Sequence, residues 1–164
     1  MELNLLPILN CEGKRLAIDA TVAVAMRDGD NFKVLAPVAV KGEVVNIGGS
    51  LELQAEGEAS VALSCDRCTE EFESQIPFVI AERFKKEDAI GEDSNPDIIP
   101  LAGSVIDLAE LTYDALVMAL PSKILCREDC KGICANCGKN LNLGDCGCDT
   151  RPVDPRFDAL DQLL

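Results

Sequence analysis

The chain has 164 residues, of which nine are cysteine and none is histidine, and its formal net charge is −14. This length fits one ordinary domain, or one domain with a small appendage. The lack of histidine excludes catalytic dyads and triads that use an imidazole base. Aromatic residues make up only 4%, which leaves few platforms for stacking nucleic-acid bases, and the acidic excess opposes extended binding to a phosphate backbone.

The first half of the sequence predicts an antiparallel β-sheet. Apolar residues alternate with polar or small ones over residues 16–26, 51–63 and 76–84. This period of two places one set of side chains on a buried face and the acidic set in water. A less regular apolar stretch over residues 34–47 predicts a strand or a strand pair, and Gly29, Gly42 and Gly48-Gly49 predict turns.

One helix is predicted over residues 107–120. Asp107 and Glu110 have the spacing of a capping box, and Pro121 ends the helix. Four apolar residues at helical spacing are expected to pack on the sheet: Leu108, Leu111, Ala115 and Met118.

Two flanking segments have simpler patterns. Residues 85–104 are acidic, contain two prolines and show no period, which predicts an irregular loop. Asp154-Pro155 marks the start of a short helix within residues 151–164. The predicted organisation is therefore a β-rich domain with its main helix over residues 1–120, a cysteine-rich module over 121–150 and a short terminal helix over 151–164.

Eight cysteines form four closely spaced pairs: Cys65 and Cys68, Cys126 and Cys130, Cys134 and Cys137, Cys146 and Cys148. Thiolates separated by two intervening residues can bind one Zn²⁺ ion at about 2.3 Å from a tight turn. Gly138, directly after Cys137, suits the left-handed backbone of such a turn.

The N-terminus has no signal-peptide pattern and no apolar stretch is long enough to span a membrane, so a cytoplasmic protein is expected. Thiols stay reduced there, which favours metal over disulfides.

The spacing favours two metal sites without excluding other arrangements. The last four thiols form a compact local set, Cys134, Cys137, Cys146 and Cys148. The remaining set would tie a hairpin tip to the start of the cysteine-rich segment: Cys65, Cys68, Cys126 and Cys130. One zinc ion with one pair left free is the rival arrangement. Disulfides or reversible redox chemistry remain open, and four thiolates can also hold an iron–sulfur cluster. Cys11 stands apart as an ordinary free cysteine.

Four segments of the chain carry distinctive motifs: residues 63–68, residues 130–142, Cys146-Gly147-Cys148 and residues 154–160. Together they resemble the YceD-like family, the large ribosomal RNA subunit accumulation proteins. The resemblance implies a non-enzymatic factor in large ribosomal subunit biogenesis that supports 23S ribosomal RNA accumulation or processing. It also implies ribosomal RNA or basic ribosomal proteins as partners.

The sequence thus predicts an α+β protein: an antiparallel sheet or partly open barrel, one main helix, and a cysteine-rich C-terminal module that binds one or two zinc ions. It favours a binding module over an enzyme and gives no sign of a membrane partner. The alternatives are a zinc–thiolate redox sensor or a protein-interaction module. Contact with RNA is expected at the basic residues of the cysteine-rich segment, which are Lys123, Arg127, Lys131 and Lys139, extending to Arg151 and Arg156.

Overall fold

The structure, a computed structural model, describes residues 1–87 and 97–148. The elements follow the chain in this order: β1 Glu2–Asn4, α1 Leu6–Leu9, β2 Arg15–Val22, β3 Phe32–Val34, β4 Val38–Ile47, β5 Ser50–Ser64, β6 Glu71–Lys86, β7 Ile98–Leu101, β8 Val105–Asp107, α2 Leu108–Ala119 and a 3-10 turn over Leu141–Leu143. Among the described residues no helix has the length and apolar character needed to cross a bilayer. The predicted α+β class with one main helix is confirmed.

Six strands form one open, mixed sheet. Its order is β2-β4-β5-β6-β7, and β3 pairs with the end of β5 that β4 leaves uncovered. The pairs β2–β4 and β4–β5 are antiparallel, as the sequence predicts, while β6–β7 is parallel. β1 and β8 form a separate antiparallel ribbon.

The alternating apolar residues decide which face of each strand is buried. β5 buries every second residue except Gly57, namely Leu51, Leu53, Ala55, Ala59, Val61 and Leu63. β6 likewise buries Ile76, Phe78, Ile80 and Phe84, so both predicted patterns are confirmed. β2 ends at Val22, short of the predicted residue 26, because its partner β4 begins at Val38. Pro37, just before Val38, has no N–H to extend the ladder.

The turn predicted at Gly29 is confirmed, whereas the one predicted at Gly42 is wrong, because Gly42 lies inside β4 and pairs with Ile18 and Ala55 of the two neighbouring strands. The Gly48-Gly49 turn between β4 and β5 is confirmed. Both glycines have positive φ, +59° and +85°, which a two-residue hairpin turn requires. The buried side chain of Asn46 lies beside this turn and donates through Nδ2 to the carbonyl of Ile8 at 2.7 Å. Its Oδ1 accepts from the Gly49 N–H at 3.1 Å, so a single amide fastens α1 to the hairpin.

The predicted loop over residues 85–104 extends too far in both directions. Lys85 and Lys86 complete β6, and Ile98–Leu101 forms β7 in parallel register with residues 83–86. Pro100 is tolerated there because β7 lies at the edge of the sheet. The apolar run Ile98-Ile99 is too short to show a period, which is why the sequence does not reveal this strand. Residues 88–96 lie outside the described part of the chain.

The main helix α2 begins where predicted but buries a different face. Oδ1 of Asp107 accepts from the N–H of Ala109 at 2.9 Å, as an N-cap should. The buried side chains are Leu108, Thr112, Tyr113 and Leu116. Only Leu108 belongs to the predicted stripe, and Met118 is 85% exposed. Thr112 can join the buried face because its hydroxyl donates to the carbonyl of Leu108 at 2.6 Å.

The chain divides into two compact units. The first comprises Met1–Leu63 and Glu73–Ser122, and the second Ser64–Phe72 and Lys123–Leu164. The tip of the β5–β6 hairpin therefore groups with the cysteine-rich segment, and this second group is called the cysteine-rich unit below. It is described to residue 148, so the predicted helix over residues 151–164, with Arg151 and Arg156, lies outside the described residues.

Candidate metal centre

The hairpin tip and the start of the cysteine-rich segment bring four thiols together. Cys65 and Cys68 flank the tight turn between β5 and β6, and Cys126 and Cys130 follow α2 in sequence. Their Sγ atoms all lie within 4.8 Å of one another. This group, the first thiol site, is the long-range set that the sequence favours, and three of its members are at most 4% exposed.

The sulfur–sulfur distances of the first thiol site fit one tetrahedral ion. The Sγ atoms of Cys65 and Cys130 are 3.8 Å apart, and those of Cys68 and Cys126 are 3.6 Å apart. Four sulfurs at about 2.3 Å from a central ion stand about 3.8 Å apart at the corners of a tetrahedron. A disulfide needs about 2.05 Å, and all nine cysteines are free thiols in the structure.

The second thiol site is local and more open to solvent. It gathers the remaining four thiols, Cys134, Cys137, Cys146 and Cys148, with all Sγ atoms within 4.8 Å of one another. Cys134 is buried, Cys137 is exposed, and the other two are half-buried. The two four-thiol groups are therefore the two sets that the sequence spacing favours. Cys11 belongs to neither group and is exposed.

The two Cys-x-x-Cys turns share one backbone pattern. In the first, the N–H of Cys65 donates to the carbonyl of Glu70 at 2.9 Å, and the carbonyl of Cys65 accepts from Thr69 at 2.9 Å. In the second, Cys134 makes the same two bonds, both 2.9 Å, with Lys139 and Gly138. The fifth residue of each turn has positive φ, +59° at Thr69 and +71° at Gly138. The left-handed backbone predicted at Gly138 is thus confirmed.

Thr69 is the only non-glycine residue with positive φ among the described residues. A β-branched side chain in this region costs on the order of 1–2 kcal/mol. We expect Thr69→Gly to strengthen metal retention at the first thiol site by about 1 kcal/mol, even though it removes the bond from Oγ1 to the Cys68 carbonyl. The matched change Gly138→Thr should weaken the second site by about as much. Competition with a chromogenic chelator measures the metal affinity of both variants. A loss of affinity in Thr69→Gly would show that the positive φ of Thr69 does not strain the first turn.

Two residues inside the first turn hold the hairpin tip on the cysteine-rich segment. Asp66 exchanges two bonds with Ile124: its N–H donates to the Ile124 carbonyl at 2.8 Å, and its Oδ2 accepts from the Ile124 N–H at 2.7 Å. Arg67 donates from Nη1 to the carbonyl of Cys130 at 2.8 Å, and its own carbonyl accepts from Ile133 at 3.1 Å. The sequence analysis assigned no role to Asp66 or Arg67. They position the thiols from the two segments.

Asn142, which lies in sequence between Cys137 and Cys146 of the second thiol site, contacts the first. Its Nδ2 donates to Sγ of Cys130 at 3.3 Å, and its Oδ1 accepts from the N–H of Lys131 at 2.8 Å. The 3-10 turn that carries it is anchored by a bond of 2.8 Å from the Leu141 N–H to the Gly132 carbonyl. Gly132 has φ +78°, and a Cβ there would lie 3.1 Å from the Arg67 carbonyl oxygen. Asn142 and Gly132 are site residues that the sequence analysis missed.

Backbone donors make parts of the first thiol site unusually acidic. Burial raises the pKa of the Cys65 thiol, but N–H groups of Cys126, Cys68 and Arg67 outweigh burial and hold that pKa at about 6. The bond from Asn142 lowers the pKa of Cys130. Burial and the neighbouring thiols raise the pKa of Cys126 to about 12. The group therefore ionises readily at some thiols and reluctantly at others. A bound cation would offset the repulsion between neighbouring thiolates and let the remaining thiols ionise.

The second thiol site also combines a thiol of lowered pKa with one of raised pKa. N–H groups of Cys137 and Asn136 lower the pKa of Cys134 to about 6. Hydrogen bonds with Cys137 and Cys146 raise the pKa of Cys148 to about 12, because a second thiolate beside the first is repelled.

Four thiols around one point make a closed site. If each group held one ion, every coordination position would be filled by sulfur, with none open for a substrate. An iron–sulfur cluster spreads its four thiolates over two or more irons with inorganic sulfide between them. Sulfurs that stand 3.6 and 3.8 Å apart, in a group spanning at most 4.8 Å, fit a single ion better.

The predicted basic residues lie on the surface of the cysteine-rich unit. Lys123, Arg127, Lys131 and Lys139 are all exposed. The Arg127 guanidinium lies 3.5 Å from the Asp129 carboxylate, and Lys139 Nζ donates to the carbonyl of Asp145 at 2.9 Å. The large apolar side chain of Leu143 is also exposed, at 81%.

Comparison with known proteins places the cysteine sites within a known family. The model of the family described as "Large ribosomal RNA subunit accumulation protein YceD" matches residues 53–164, more than half of the chain. The chain belongs to the YceD family. The matched range contains both thiol sites and begins within β5.

The relatives are distant in sequence. An uncharacterized protein of Mycobacterium tuberculosis is 27% identical over 124 residues, covering 74% of this chain and 56% of the relative. The chain therefore spans little more than half the length of that relative. An uncharacterized protein of Mycobacterium leprae is 24% identical, covering 98% of this chain and 76% of the relative.

One similar protein carries a functional name. The "Large ribosomal RNA subunit accumulation protein YCED homolog 1, chloroplastic" of Zea mays is 25% identical over 172 residues, covering 87% of this chain and 59% of that protein. No solved structure matches the chain.

Proposed function

We propose that this protein supports the accumulation and processing of large-subunit ribosomal RNA as a non-enzymatic binding factor in the cytoplasm, with a cysteine-rich unit stabilised by two zinc ions. The observation that carries the proposal is that eight thiols form two closed four-sulfur groups within the range matched by the YceD family. The printed name of the maize relative supports the same role.

Zinc is the ion that best suits these groups. Tetrahedral all-sulfur ligation is typical of zinc or iron–sulfur centres, and the spacing of the sulfurs favours a single ion. The tight Cys-x-x-Cys turns with N–H groups directed at sulfur are what a structural zinc site requires. Zinc in such a site contributes folding free energy directly.

A binding role is favoured over catalysis by the chemistry of the chain. It contains no histidine, so the commonest general base is missing from the whole sequence. The thiols that would be the strongest nucleophiles are the ones that a closed metal site would occupy.

Gene deletion in the source organism tests the proposed function. The ratio of large-subunit to small-subunit ribosomal RNA should fall, and unprocessed large-subunit precursors should accumulate. A plasmid copy with Cys11→Ser should restore the ratio, whereas Cys65→Ser with Cys68→Ser should not. Normal ratios and normal precursor ends in the deletion strain would refute the role.

Direct RNA contact, if made through the cysteine-rich unit, should be weak. Few exposed cations are present, and loading each thiol site with zinc leaves a formal charge of −2 there, so the salt slope should correspond to roughly 2–4 released ions. We expect Lys131→Glu with Lys139→Glu to lower affinity for large-subunit RNA about tenfold or more without loss of zinc, as measured by filter binding across a salt series. Unchanged affinity, or a steep slope, would place RNA binding on another surface.

A redox sensor is the second candidate, and the exposure of Cys137 favours it. Hydrogen peroxide can oxidise two thiolates to a disulfide, with itself reduced to water and the ion released. The second thiol site should release its zinc several-fold faster than the buried first site, as followed with a zinc-sensitive dye. Equal release rates from both sites, compared through variants lacking one site each, would remove the basis for this candidate.

A further inference from the structure

A groove in the first unit lies between β4, β5 and β6 and the second half of α2. Its volume is about 750 Å³. Val79 projects into it from β6, and Ala115 and Met118 line it from α2. All of these residues belong to the first unit, and this feature is called the sheet–helix groove below.

The groove displays large apolar side chains to solvent. Met118 is 85% exposed and Val79 is 67% exposed, the two most exposed large apolar residues of the first unit among those described. α2 buries one face through Leu108, Thr112 and Leu116, so its Ala115–Met118 face is a second apolar stripe that no element among the described residues covers. Contiguous apolar exposure of this kind marks interaction sites, and an unbranched methionine adapts its shape to an incoming side chain.

The floor of the groove depends on a glycine. Gly57 occupies the one inward-facing position of β5 without a side chain, and a Cβ there would lie 2.6 Å from Cζ of Phe78. The ring of Phe78 therefore packs directly against the Gly57 backbone, and both residues line the groove. The depression is built by the core and does not result from a loosely placed loop.

The charges on the groove select the partner. Glu56 and Glu58 line it, are exposed, and have no ion pair among the described residues. Lys41 is the only cation among the described residues of the lining, and its Nζ lies 3.8 Å from Oδ2 of Asp19. The two carboxylates outnumber Lys41, which lies directly opposite Glu56 in the β4–β5 register, and this acidic excess disfavours RNA and anionic lipid. A second copy of this chain, with its net charge of −14, is also disfavoured. A polypeptide rich in lysine and arginine is favoured.

We propose that the sheet–helix groove binds a basic segment of a large-subunit ribosomal protein, which inserts an apolar side chain between Val79 and Met118 and pairs its cations with Glu56 and Glu58. This inference rests on the proposed function for the class of partner. It adds a surface outside the cysteine-rich unit and a mode of recognition: an apolar anchor within an acidic rim.

Site-specific photo-crosslinking tests the groove with the full, zinc-loaded chain. A benzophenone amino acid is placed at Met118 or, as a control, at Leu35, which is 42% exposed and does not line the groove. The probe is total ribosomal protein extracted from purified large subunits, and crosslinked peptides are identified by mass spectrometry. The Met118 position should crosslink to lysine- and arginine-rich segments, and the Leu35 position should not.

Charge reversal gives the matched comparison. In the Met118-labelled protein, Glu56→Lys with Glu58→Lys should lower the crosslink yield about tenfold. Glu12→Lys with Asp28→Lys changes the net charge equally at exposed positions away from the groove and should change the yield less than about twofold. Equal loss in both variants would overturn the proposal, as would equal crosslinking from Leu35, crosslinks to non-basic segments or to a second copy of the chain, or no crosslink at Met118.

The outcome is separable from that of the proposed function. If the deletion strain has normal ribosomal RNA while the purified groove still selects basic segments, the binding surface stands and the role in RNA accumulation falls. If the deletion reduces ribosomal RNA while the groove crosslinks to nothing, the role stands and this inference is wrong.

Discussion

The purified chain should carry two zinc ions, and replacing Cys65 and Cys68 together by serine should remove one of them. Both residues supply ligands to the first thiol site, where the sulfurs stand as close as one tetrahedral ion requires. Loss of two of four ligands removes a large part of an apparent binding free energy of about 10–16 kcal/mol. The second site should keep its ion, because its ligands all come from residues 134–148.

Native mass spectrometry and elemental analysis count the ions. Cys134→Ser with Cys137→Ser should also leave one ion, held by the first site, although more weakly, since Asn142 no longer has a fixed position from which to support Cys130. Cys11→Ser is the control and should keep both, because Cys11 belongs to neither group. A single ion in the unaltered chain, lost completely in either double variant, would contradict two independent four-thiol sites. Bound iron together with acid-labile sulfide would show that the thiols hold an iron–sulfur cluster and that the zinc assignment is wrong.

The grouping of the thiols was accessible from sequence because spacing limits the choices. The set Cys134, Cys137, Cys146 and Cys148 spans 15 residues and can close on itself, which leaves the other four thiols for one another. The residues that hold the two segments together were not accessible. Asp66, Arg67 and Asn142 are common polar residues, and only the fold gives them their partners across 58, 63 and 12 positions of sequence.

The sheet and α2 show where pattern reasoning reaches its limit. Period-two alternation identified the buried residues of β5 and β6 because each strand has only two faces. α2 has apolar residues on two sides, so its periodicity alone does not tell which side packs on the rest of the first unit. The prediction that the stripe containing Met118 packs on the sheet is wrong. That second apolar side of α2 lines the sheet–helix groove instead.

Removing the metal should unfold the cysteine-rich unit and leave the first unit folded. Apart from cysteine, the described part of the cysteine-rich unit buries the apolar side chain of Ile124, with Phe72 and Leu125 only partly buried. Thiols therefore make up most of its interior, and without an ion they neither share charge nor hold the two turns together. The first unit has a core of its own in which Val40, Leu53 and Leu116 are at most 1% exposed.

Hydrogen exchange of the chain with and without a strong chelator, under reducing conditions, measures this difference. The amide hydrogens of Cys65 and Cys134, bonded to Glu70 and Lys139, should lose their protection on chelation. Amides of the first unit, such as Leu35 bonded to Ser60, should change by less than about 0.5 kcal/mol. Restoring zinc should recover protection in the cysteine-rich unit, whereas magnesium should not, because it prefers oxygen ligands. Protection at Cys65 and Cys134 that survives chelation would mean that the turns are held by packing and hydrogen bonds, and the thiol sites would then need no metal to keep their shape.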